Sequence, residues 1–451
     1  MSELRVLPSV EKILQSVAGR NLVDQYGRGL CLFAIRSTLD EVRLNYSRNR
    51  DLPNMREIIE CARETLERKL NPSMVSVINA TGVIIHTNLG RAPLSRSAIK
   101  AMSDVAAAYS NLEYDLEKGQ RGSRSVHAEE LLRVITGADS ALVVNNNAAG
   151  VLLVLSALAR GKRVIISRSQ LIEIGGGFRV PEVMKQSGVK LVEIGTTNRV
   201  HLEDYEEALK TPAGAVLRAH SSNFRLIGFT TEPRLQDVVA VAHRYNVPFI
   251  DDLGSGALID TANYGLAHEP TVKESIRAGA DVNCFSGDKL IGGPQAGIIV
   301  GRADLLAKIK KHPWARAVRA DKLCLAGLSA TLMHYLKGDY EENIPVWKMI
   351  STSAEALMKR ATAWRRVIGF GEVIPAESTI GGGSLPGETL PTYLLSLPDK
   401  SPDGLLKRLR QSKPPVIARI LDDQVVLDPR TVMPEQEEMM LSILRSATSE
   451  Y

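Results

Sequence analysis

Residues 285–297 read FSGDKLIGGPQAG and are the strongest single element of the sequence pattern. Lys289 follows a short apolar strand directly and precedes a Gly-Gly-Pro turn, after which a second strand begins. Small residues on both sides of a lysine allow a ligand to approach the backbone closely. The stretch alone is equally compatible with a solvated surface lysine and with a lysine that holds a ligand.

An acidic pair ends another apolar strand earlier in the chain. Residues 247–256 read VPFIDDLGSG, so Asp251 and Asp252 stand where the strand gives way to a glycine loop. An acid at a strand end can cap a helix, bind a metal, or pair with a pyridoxal ring nitrogen and keep it protonated. The eight histidines are scattered without a recognised metal-ligand spacing, so we favour the pyridinium role and predict no metal site.

A third strand end, VNNNAAG at 144–150, runs into an apolar helix. Such a helix start can bind an anion through its backbone N–H groups, although an asparagine-capped helix explains the same residues. The stretch lacks the G-K-[ST] of a Walker loop, and no G-x-G-x-x-G follows the first strand. A fold-type I pyridoxal-phosphate enzyme requires an anion cradle, an acid and a lysine in this order along the chain, each of them after a strand.

A fourth stretch, RAHSSNF at 218–224, lies between the cradle and the acid. In this fold an asparagine at this place can reach the phenolic oxygen of the pyridoxal ring, and we assign that role to Asn223. His220 is a candidate neighbour of the ring, but a core histidine with its hydrogen bonds satisfied explains it as well.

The chain from about 79 to 340 alternates short β-branched runs with helical stretches, which predicts an α/β class with a mostly parallel sheet covered by helices on both faces. Ligands of such sheets bind at the carboxyl ends of the strands. The predicted strands are Ala141–Asn145, Arg163–Ser167, Lys190–Ile194, Ala215–Ala219, Val247–Asp252 and Ala296–Val300.

Three domains are predicted: a helical one at 1–72, a cofactor-binding one at 73–340 and a small α+β one at 341–451. In the first, Asn54 and Glu57 have the spacing of a capping box at the start of a helix that Asn71-Pro72 ends. In the last, Asp422-Asp423 is placed to turn a hairpin between two apolar strands.

Composition excludes several classes of protein. The 451 residues are 44% hydrophobic and 24% charged, with no apolar run near the roughly 18 residues of a membrane span. The start of the chain lacks a signal-peptide core, and four dispersed cysteines suggest a reducing compartment, so we expect a cytoplasmic protein. The net charge of +5 does not indicate nucleic-acid binding. Residues 302–322 alone account for it, with seven basic and two acidic side chains.

Several blocks of the sequence resemble bacterial selenocysteine synthases, the L-seryl-tRNA(Sec) selenium transferase family. The resemblance runs from about residue 77 to the end, whereas residues 1–72 have the family's length and helical character without a specific motif. The blocks are HTNLGRAPLS (86–95), YSNLEYDLEKGQRGSR (109–124), NNNAAG (145–150), EIGGGFRVP (173–181), GTTNR (195–199), FSGDKLIGGPQAGIIVG (285–301), RAVRADK (316–322), GGGSLP (381–386) and PPVIARI (414–420).

The resemblance implies a homodecameric enzyme that binds serine-charged tRNA(Sec), with the amino-terminal domain holding the body of the tRNA. It implies that Lys289 carries pyridoxal phosphate, that Asp252 holds the ring nitrogen, and that Asn147, Ala148 and Ser286 lie on the phosphate. The implied reaction eliminates water from the seryl group and adds selenium from selenophosphate to the aminoacrylyl intermediate.

Arginines are the expected ligands of the selenophosphate anion. Arg91, Arg316 and Arg319 match the family's arginines, and the spacing of the last two predicts one shared helical face. A surface helix that contacts solvent or a partner explains that pair as well. Arg121 and Arg124 are placed to meet the tRNA acceptor end, although an exposed basic loop accounts for them nearly as well.

Two alternatives remain open from the sequence. One is a small-molecule pyridoxal-phosphate ammonia-lyase of a related family, in which Arg419 would bind a free substrate carboxylate. The other is a catalytically silent tRNA-binding scaffold, in which Lys289 would not hold a cofactor.

Overall fold

The structure is a computed structural model that describes residues 6–49, 52–174, 177–221 and 224–448. The chain divides into two compact units, Met1–Ser76 and Val77–Tyr451. The division into three domains at residues 72 and 340 stays a prediction.

The first unit is helical, as its sequence predicts. Its described helices are α1 (Val10–Gln15), α2 (Val17–Tyr26), α3 (Arg28–Asn49) and α4 (Met55–Leu70). The predicted capping box is confirmed, because Asn54 Oδ1 accepts the Glu57 N–H at 3.1 Å and Glu57 Oε2 accepts the Asn54 N–H at 2.8 Å. The inward faces of the four helices form one apolar core that includes Ile13, Ile35 and Ile58.

The second unit contains all the described strands. They are β1 (Ile78–Asn79), β2 (Val83–Ile85), β3 (Tyr114–Asp115), β4 (Gln120–Arg121), β5 (Ser140–Val144), β6 (Arg163–Ser167), β7 (Glu173–Ile174), β8 (Phe178–Arg179), β9 (Lys190–Ile194), β10 (Ala215–Ala219), β11 (Phe249–Gly254), β12 (Val282–Ser286), β13 (Gly297–Gly301), β14 (Glu372–Gly381), β15 (Thr389–Leu397), β16 (Val416–Ile417), β17 (Arg419–Leu421) and β18 (Gln424–Leu427).

Helices alternate with these strands through most of the second unit. They are α5 (Arg96–Ala107), α6 (Val126–Thr136), α7 (Asn147–Ala159), α8 (Val180–Gln186), α9 (Leu202–Leu209), α10 (Leu235–Arg244), α11 (Val272–Arg277), α12 (Ala303–Lys311), α13 (Pro313–Ala317), α14 (Lys322–Lys337), α15 (Tyr340–Asn343), α16 (Pro345–Ser351), α17 (Ala354–Ile368), α18 (Pro402–Gln411) and α19 (Glu437–Thr448).

The central sheet has the strand order β5-β13-β12-β11-β10-β6-β9 within the described residues. The pairs from β12 through to β9 are parallel, and β13 runs antiparallel to both of its neighbours. Each predicted strand is found within two residues of its predicted ends, so the mostly parallel sheet is confirmed.

Alternating side chains give this sheet two apolar faces, because successive residues of a strand point to opposite sides. Val216 and Phe249 pack in one core with residues of α9 and α10. Their neighbours Leu217 and Ile250 pack in another core with residues of α7 and α12. The sheet is therefore buried on both sides, which leaves its strand ends to build a site.

A second sheet has the order β17-β18-β15-β14-β2, so a strand from the start of the unit joins strands from its end. Strand β2 runs parallel to β14, and Thr379 pairs with Val83. The hairpin predicted at Asp422-Asp423 is confirmed: both residues have positive φ, 48° and 59°, and connect β17 to β18. Helices α17, α18 and α19 contribute to the core of this region.

Among the described residues, no helix combines the length and apolar character needed to cross a membrane. The same residues include no group of three or more His, Cys, Asp or Glu side chains placed to hold a metal ion.

Candidate active site around Lys289

Lys289 lies in the loop that follows β12, at the carboxyl end of the sheet. Backbone hydrogen bonds hold this loop rigidly: the Gly287 N–H donates to Ala296 O at 2.9 Å, and the Gly292 N–H donates to Lys289 O at 2.9 Å. Lys289 is only 8% exposed. Burial lowers the pKa of its ammonium group, while the nearby carboxylates of Asp252 and Asp288 oppose that shift. The lysine is therefore a buried amine and not a solvated surface side chain.

The two acids of β11 point to different partners. Asp251 is fully buried and forms a bidentate ion pair with Arg218, with N···O distances of 2.8 and 2.7 Å. Asp252 accepts the Asn147 Nδ2–H at 2.8 Å and the Gly254 N–H at 3.2 Å. Burial raises the pKa of Asp252 to about 6, and the Asn147 bond and the Lys289 charge limit the rise. Asp252 is thus the acid that shares its surroundings with the lysine.

The predicted anion cradle is the first turn of α7. Asn146 caps the helix by accepting the Ala149 N–H at 2.8 Å. Helix geometry leaves the N–H groups of Asn147 and Ala148 without intrahelical acceptors. A side chain on Gly297 would collide with this turn, because its Cβ would lie 2.2 Å from Asn146 O. The glycine that opens β13 therefore allows the cradle to sit against the end of the sheet.

A loop from the carboxy-terminal region reaches the lysine. Gly383 has φ of 86°, and a Cβ at this position would lie 2.6 Å from Lys289 Nζ. The sequence pattern assigns Gly383 no role beyond its place in the GGGSLP block of the family resemblance. We call the space around Lys289, Asp252, Asn147, His220 and Gly383 the Lys289 pocket.

Unpaired polar atoms test whether this pocket fits a cofactor. Asn147 Oδ1, His220 Nδ1 and Ser384 Oγ are buried and have no hydrogen-bond partner among the described residues. Buried polar atoms are nearly always paired in folded proteins. Together with the open helix start, the acid and the buried amine, they fit a group with a phosphate, a ring nitrogen and a carbonyl carbon. The donor set therefore suits pyridoxal phosphate.

A cleft of about 300 Å³ adjoins the pocket. His220, Glu269 and Leu385 line it, together with Arg225 and Glu388, which form an ion pair at 2.6 Å. Glu269 was missed from the sequence, because a single acid in a loop carries no spacing signal. Its carboxylate oxygen Oε1 lies 3.7 Å from His220 Nδ1.

The remaining cofactor residues predicted from the sequence lie at strand ends. Ser286 is buried at the end of β12, and His220 follows β10 with its N–H donating to Asp252 O at 2.8 Å. Asn223 lies outside the described residues, so its contact with the ring oxygen stays a prediction.

Arg91 is the predicted anion ligand that the structure places beside the lysine loop. It has positive φ, 75°, and its Nε lies 3.6 Å from Asp288 Oδ2. Its charge also contributes to lowering the pKa of Lys289.

The shared helical face predicted for Arg316 and Arg319 is wrong. Helix α13 ends at Ala317, and Arg319 forms an isolated antiparallel bridge with Val144. The cause is the edge of the sheet: the Asn145 N–H donates to Val318 O at 2.8 Å, which continues the β pairing and ends the helix. The stretch around Arg319 therefore lies against the start of the cradle, while Arg316 is exposed on the helix.

One glutamate joins arginines that the sequence assigned to two different roles. Glu113 Oε1 lies 2.5 Å from Arg124 Nη2 and 3.5 Å from Arg319, and Glu113 Oε2 lies 3.4 Å from Arg121. Hydrogen bonding from Arg124 holds the pKa of Glu113 below its usual range. Nothing in the sequence pattern marked Glu113 as the common partner.

The structure also divides the basic segment 302–322. Arg302 pairs with Asp281 at 2.9 Å. Because Asp281 immediately precedes β12, this pair lies at the amino ends of the strands, whereas Lys289 lies at their carboxyl ends. Lys310 pairs with Glu129 at 2.6 Å. The basic side chains of this segment therefore do not form one group at a single site.

Comparison with known families identifies two matching regions. The profile of the family described as L-seryl-tRNA selenium transferase matches residues 77–433. A profile described as selenocysteine synthase N terminal matches residues 4–43.

Individual relatives are similar over nearly the whole chain. The L-seryl-tRNA(Sec) selenium transferase of Alkaliphilus oremlandii is 44% identical, covering 97% of both chains. That of Carboxydothermus hydrogenoformans is also 44% identical, covering 96% of this chain and 95% of the relative. Among solved structures, a D-glucosaminate-6-phosphate ammonia-lyase superposes with a TM-score of 0.60 at 20% identity, covering 85% of this chain and 98% of that one. The predicted fold-type I architecture is confirmed.

Proposed function

Since the chain belongs to the L-seryl-tRNA selenium transferase family, we propose that its Lys289 pocket converts seryl-tRNA(Sec) to selenocysteinyl-tRNA(Sec) with selenophosphate as the selenium donor. The enzyme is a pyridoxal-phosphate-dependent transferase. The observation that carries the assignment of the pocket is the buried Lys289 amine beside Asp252, whose carboxylate is held by the first residue of α7.

Pyridoxal phosphate, when bound, supplies an electron sink for the carbanion that forms at the seryl Cα. Lys289 holds the cofactor, the open N–H groups of Asn147 and Ala148 and the Ser286 hydroxyl hold its phosphate, and Asp252 holds its ring nitrogen. Asn223 serves the phenolic oxygen, and His220 packs beside the ring.

Lys289 has a second task as the base at Cα. When it is not attached to the cofactor, the lysine amine would lie free within a pocket that disfavours its charge. Because burial lowers its pKa, a larger fraction of this amine is uncharged near neutral pH than of a solvated lysine, and only the uncharged amine can accept a proton. The lysine therefore takes the Cα proton and later returns it to the product.

Selenophosphate needs cations to enter this pocket. We assign Arg91, Arg316 and Arg319 to it, because a guanidinium binds the oxygens of a phosphate-like anion bidentately. Arg91 lies beside the lysine loop, and Arg319 lies against the start of the cradle. Both positions therefore adjoin segments that border the Lys289 pocket.

The tRNA is assigned to two surfaces. Residues 1–72 hold its body, an assignment supported by the amino-terminal family match. Arg121 and Arg124 meet its acceptor end. We further propose a homodecamer in the cytoplasm, in keeping with the family resemblance.

The ammonia-lyase alternative is less well supported. Arg419, its candidate carboxylate ligand, donates to the backbone oxygens of Thr81 at 3.0 Å and Glu377 at 3.4 Å. These bonds give the side chain a structural role in the second sheet. A scaffold without chemistry would not explain a lysine buried beside an acid.

Offering the purified enzyme seryl-tRNA(Sec) and, separately, free serine tests this function. We expect water elimination from the tRNA-bound seryl group and none from the free amino acid. Turnover of free serine with an inert seryl-tRNA(Sec) would overturn the proposed function.

A further inference from the structure

Glu269 is a buried acid beside the Lys289 pocket that the proposed mechanism leaves unused. It is 3% exposed, and its N–H donates to Thr261 Oγ1 at 2.9 Å, which fixes the backbone of its loop. Its Oε1 atom has no hydrogen-bond partner among the described residues. A buried carboxyl oxygen without a partner is costly, so its presence at the wall of a cleft points to a role with a ligand.

The atom that faces this oxygen is also buried and unpaired. His220 Nδ1 lies 3.7 Å from Glu269 Oε1, slightly beyond hydrogen-bond distance, and it too has no partner within the described residues. Both side chains line the cleft of about 300 Å³ that adjoins the Lys289 pocket. A small movement would bring the two atoms into contact, and a hydroxyl group in the cleft could bond to both of them.

The surroundings favour the uncharged form of both groups. Burial raises the pKa of Glu269, and the Ser255 hydroxyl and the Lys289 charge oppose the rise. Burial and, to a smaller extent, the Arg218 charge lower the pKa of His220 to about 4. Both shifts favour a protonated carboxyl facing a neutral imidazole 3.7 Å away, and such a carboxyl can deliver a proton to a ligand in the cleft.

We propose that Glu269 and His220 form an acid–base pair that protonates the departing β-oxygen of the seryl group. This inference rests on the proposed function and adds a proton donor to it. Glu269 is the donor, and His220 positions the carboxyl and the leaving oxygen.

The proposed step balances within the pocket. Lys289 takes the Cα proton, the electrons of that bond form the Cα–Cβ double bond, and the Cβ–O bond breaks. The oxygen leaves with the bonding pair and takes the Glu269 proton, so it departs as water. Lys289 keeps the Cα proton for its later return to the product, and a proton from solvent in the cleft resets the Glu269 carboxylate.

Two partial reactions separate this role from a structural one. Seryl-tRNA(Sec) is incubated with the holoenzyme in D₂O without selenophosphate, and both Cα exchange and water elimination are followed. We expect Glu269→Gln to keep Cα exchange near the wild-type rate while elimination slows about 10²–10⁴-fold, the usual contribution of a general acid. His220→Gln should slow elimination by a smaller factor. Retained yellow cofactor absorbance shows that both variants fold.

An infrared difference spectrum supplies a readout independent of turnover. Subtracting the Glu269→Gln spectrum from the wild-type spectrum at neutral pH should reveal a carboxylic-acid C=O band. The matched control is Glu203→Gln, which removes an exposed glutamate of α9. Its spectrum should keep the carboxylic-acid band, so the difference between wild type and Glu203→Gln should show no such band.

Failure of the inference and failure of the proposed function give different results. Equal loss of exchange and elimination in Glu269→Gln, or a carboxylate band in the difference spectrum, overturns the acid role and leaves the proposed function standing. A wild-type enzyme that catalyses neither partial reaction overturns the proposed function itself.

Discussion

Asn147 donates its side-chain N–H to Asp252 Oδ1 at 2.8 Å and so joins the first residue of α7 to the end of β11. These residues were assigned separately from the sequence, one to a phosphate cradle and one to a ring nitrogen. The bond makes them a single unit, because the side chain that begins the cradle also orients the acid.

Asn147→Ala should therefore weaken cofactor binding through Asp252. Loss of the bond removes an interaction that lowers the pKa of Asp252. The ionised form of Asp252, which holds the ring nitrogen, therefore becomes less favourable. Hydrogen bonds to charged groups contribute about 1.5–3 kcal/mol, which corresponds to a cofactor Kd raised about tenfold or more. Titration followed by cofactor absorbance measures it. Asn263→Ala, an exposed asparagine, should match the wild type, and an unchanged Kd in Asn147→Ala would contradict the coupling.

Asp252 should make the stability of the cofactor-free protein depend on pH. Its folded pKa of about 6 exceeds the ordinary value near 3.9, so the folded state binds this proton more tightly than the unfolded chain. The resulting stabilisation is complete below about pH 4 and is lost as pH rises through about 6, to a total on the order of 3 kcal/mol.

Asp252→Asn is uncharged at every pH and should remove that dependence. Between about pH 4 and pH 7, we expect its Tm to fall less than that of the wild type. The exposed-residue control Asp139→Asn should follow the wild type. Parallel curves for the wild type and Asp252→Asn would show that Asp252 does not titrate in this range.

Gly383 should be required for cofactor attachment because its missing side chain leaves space for Lys289. In Gly383→Ala the new Cβ would lie 2.6 Å from Lys289 Nζ, so the amine must move. Gly387→Ala is a matched control, since its φ of 73° imposes similar strain but its nearest neighbour is Arg225 at 3.6 Å.

Both glycine variants should lose some thermal stability, but only Gly383→Ala should lose yellow absorbance after incubation with cofactor. Equal loading of the two variants would mean that Lys289 has room to move aside.

Replacing Arg121 should affect tRNA binding, whereas replacing Arg124 should affect the stability of the fold. The Arg121 side chain is 80% exposed, whereas the Arg124 side chain is 20% exposed and also donates to Ala320 O at 2.9 Å. Arg121→Ala should weaken tRNA binding and reduce its salt dependence by about one unit of slope with no change in Tm.

Arg124→Ala should lower Tm, because it leaves Glu113 and a backbone carbonyl without their shared donor. Filter binding at several salt concentrations and thermal unfolding measure the two effects. A salt dependence of binding unchanged by Arg121→Ala would remove that residue from the tRNA surface.

The fold could be predicted because local signals and the global arrangement agree. β-branched runs located the strands of the central sheet, and residues such as Asn54 and Asp422 located a cap and a turn through their own backbone preferences. The joining of β2 to β14 could not be predicted, because that pairing connects segments nearly 300 residues apart and no local preference encodes it.

The candidate site was predicted where chemistry follows a strand end, as at Lys289 and Asp252. Residues that act through long-range contact were missed: Glu113, Glu269 and Gly383 each lie in loops whose partners are distant in sequence. The prediction that Arg319 lies on a helix was wrong because the three-residue spacing from Arg316 covers only one helical turn. Backbone pairing of Arg319 with Val144 of β5 outweighs so short a helical signal.

The most direct measurement of the central claim is selenium transfer itself. Purified enzyme is incubated with seryl-tRNA(Sec) and radiolabelled selenophosphate, and the aminoacyl group is recovered from the tRNA. Lys289→Ala and Lys308→Ala, which removes an exposed lysine of α12, are run in parallel. We predict labelled selenocysteine on the tRNA with the wild type and Lys308→Ala and none with Lys289→Ala. Unlabelled tRNA with the cofactor-loaded wild type, or full activity in Lys289→Ala, would contradict the account.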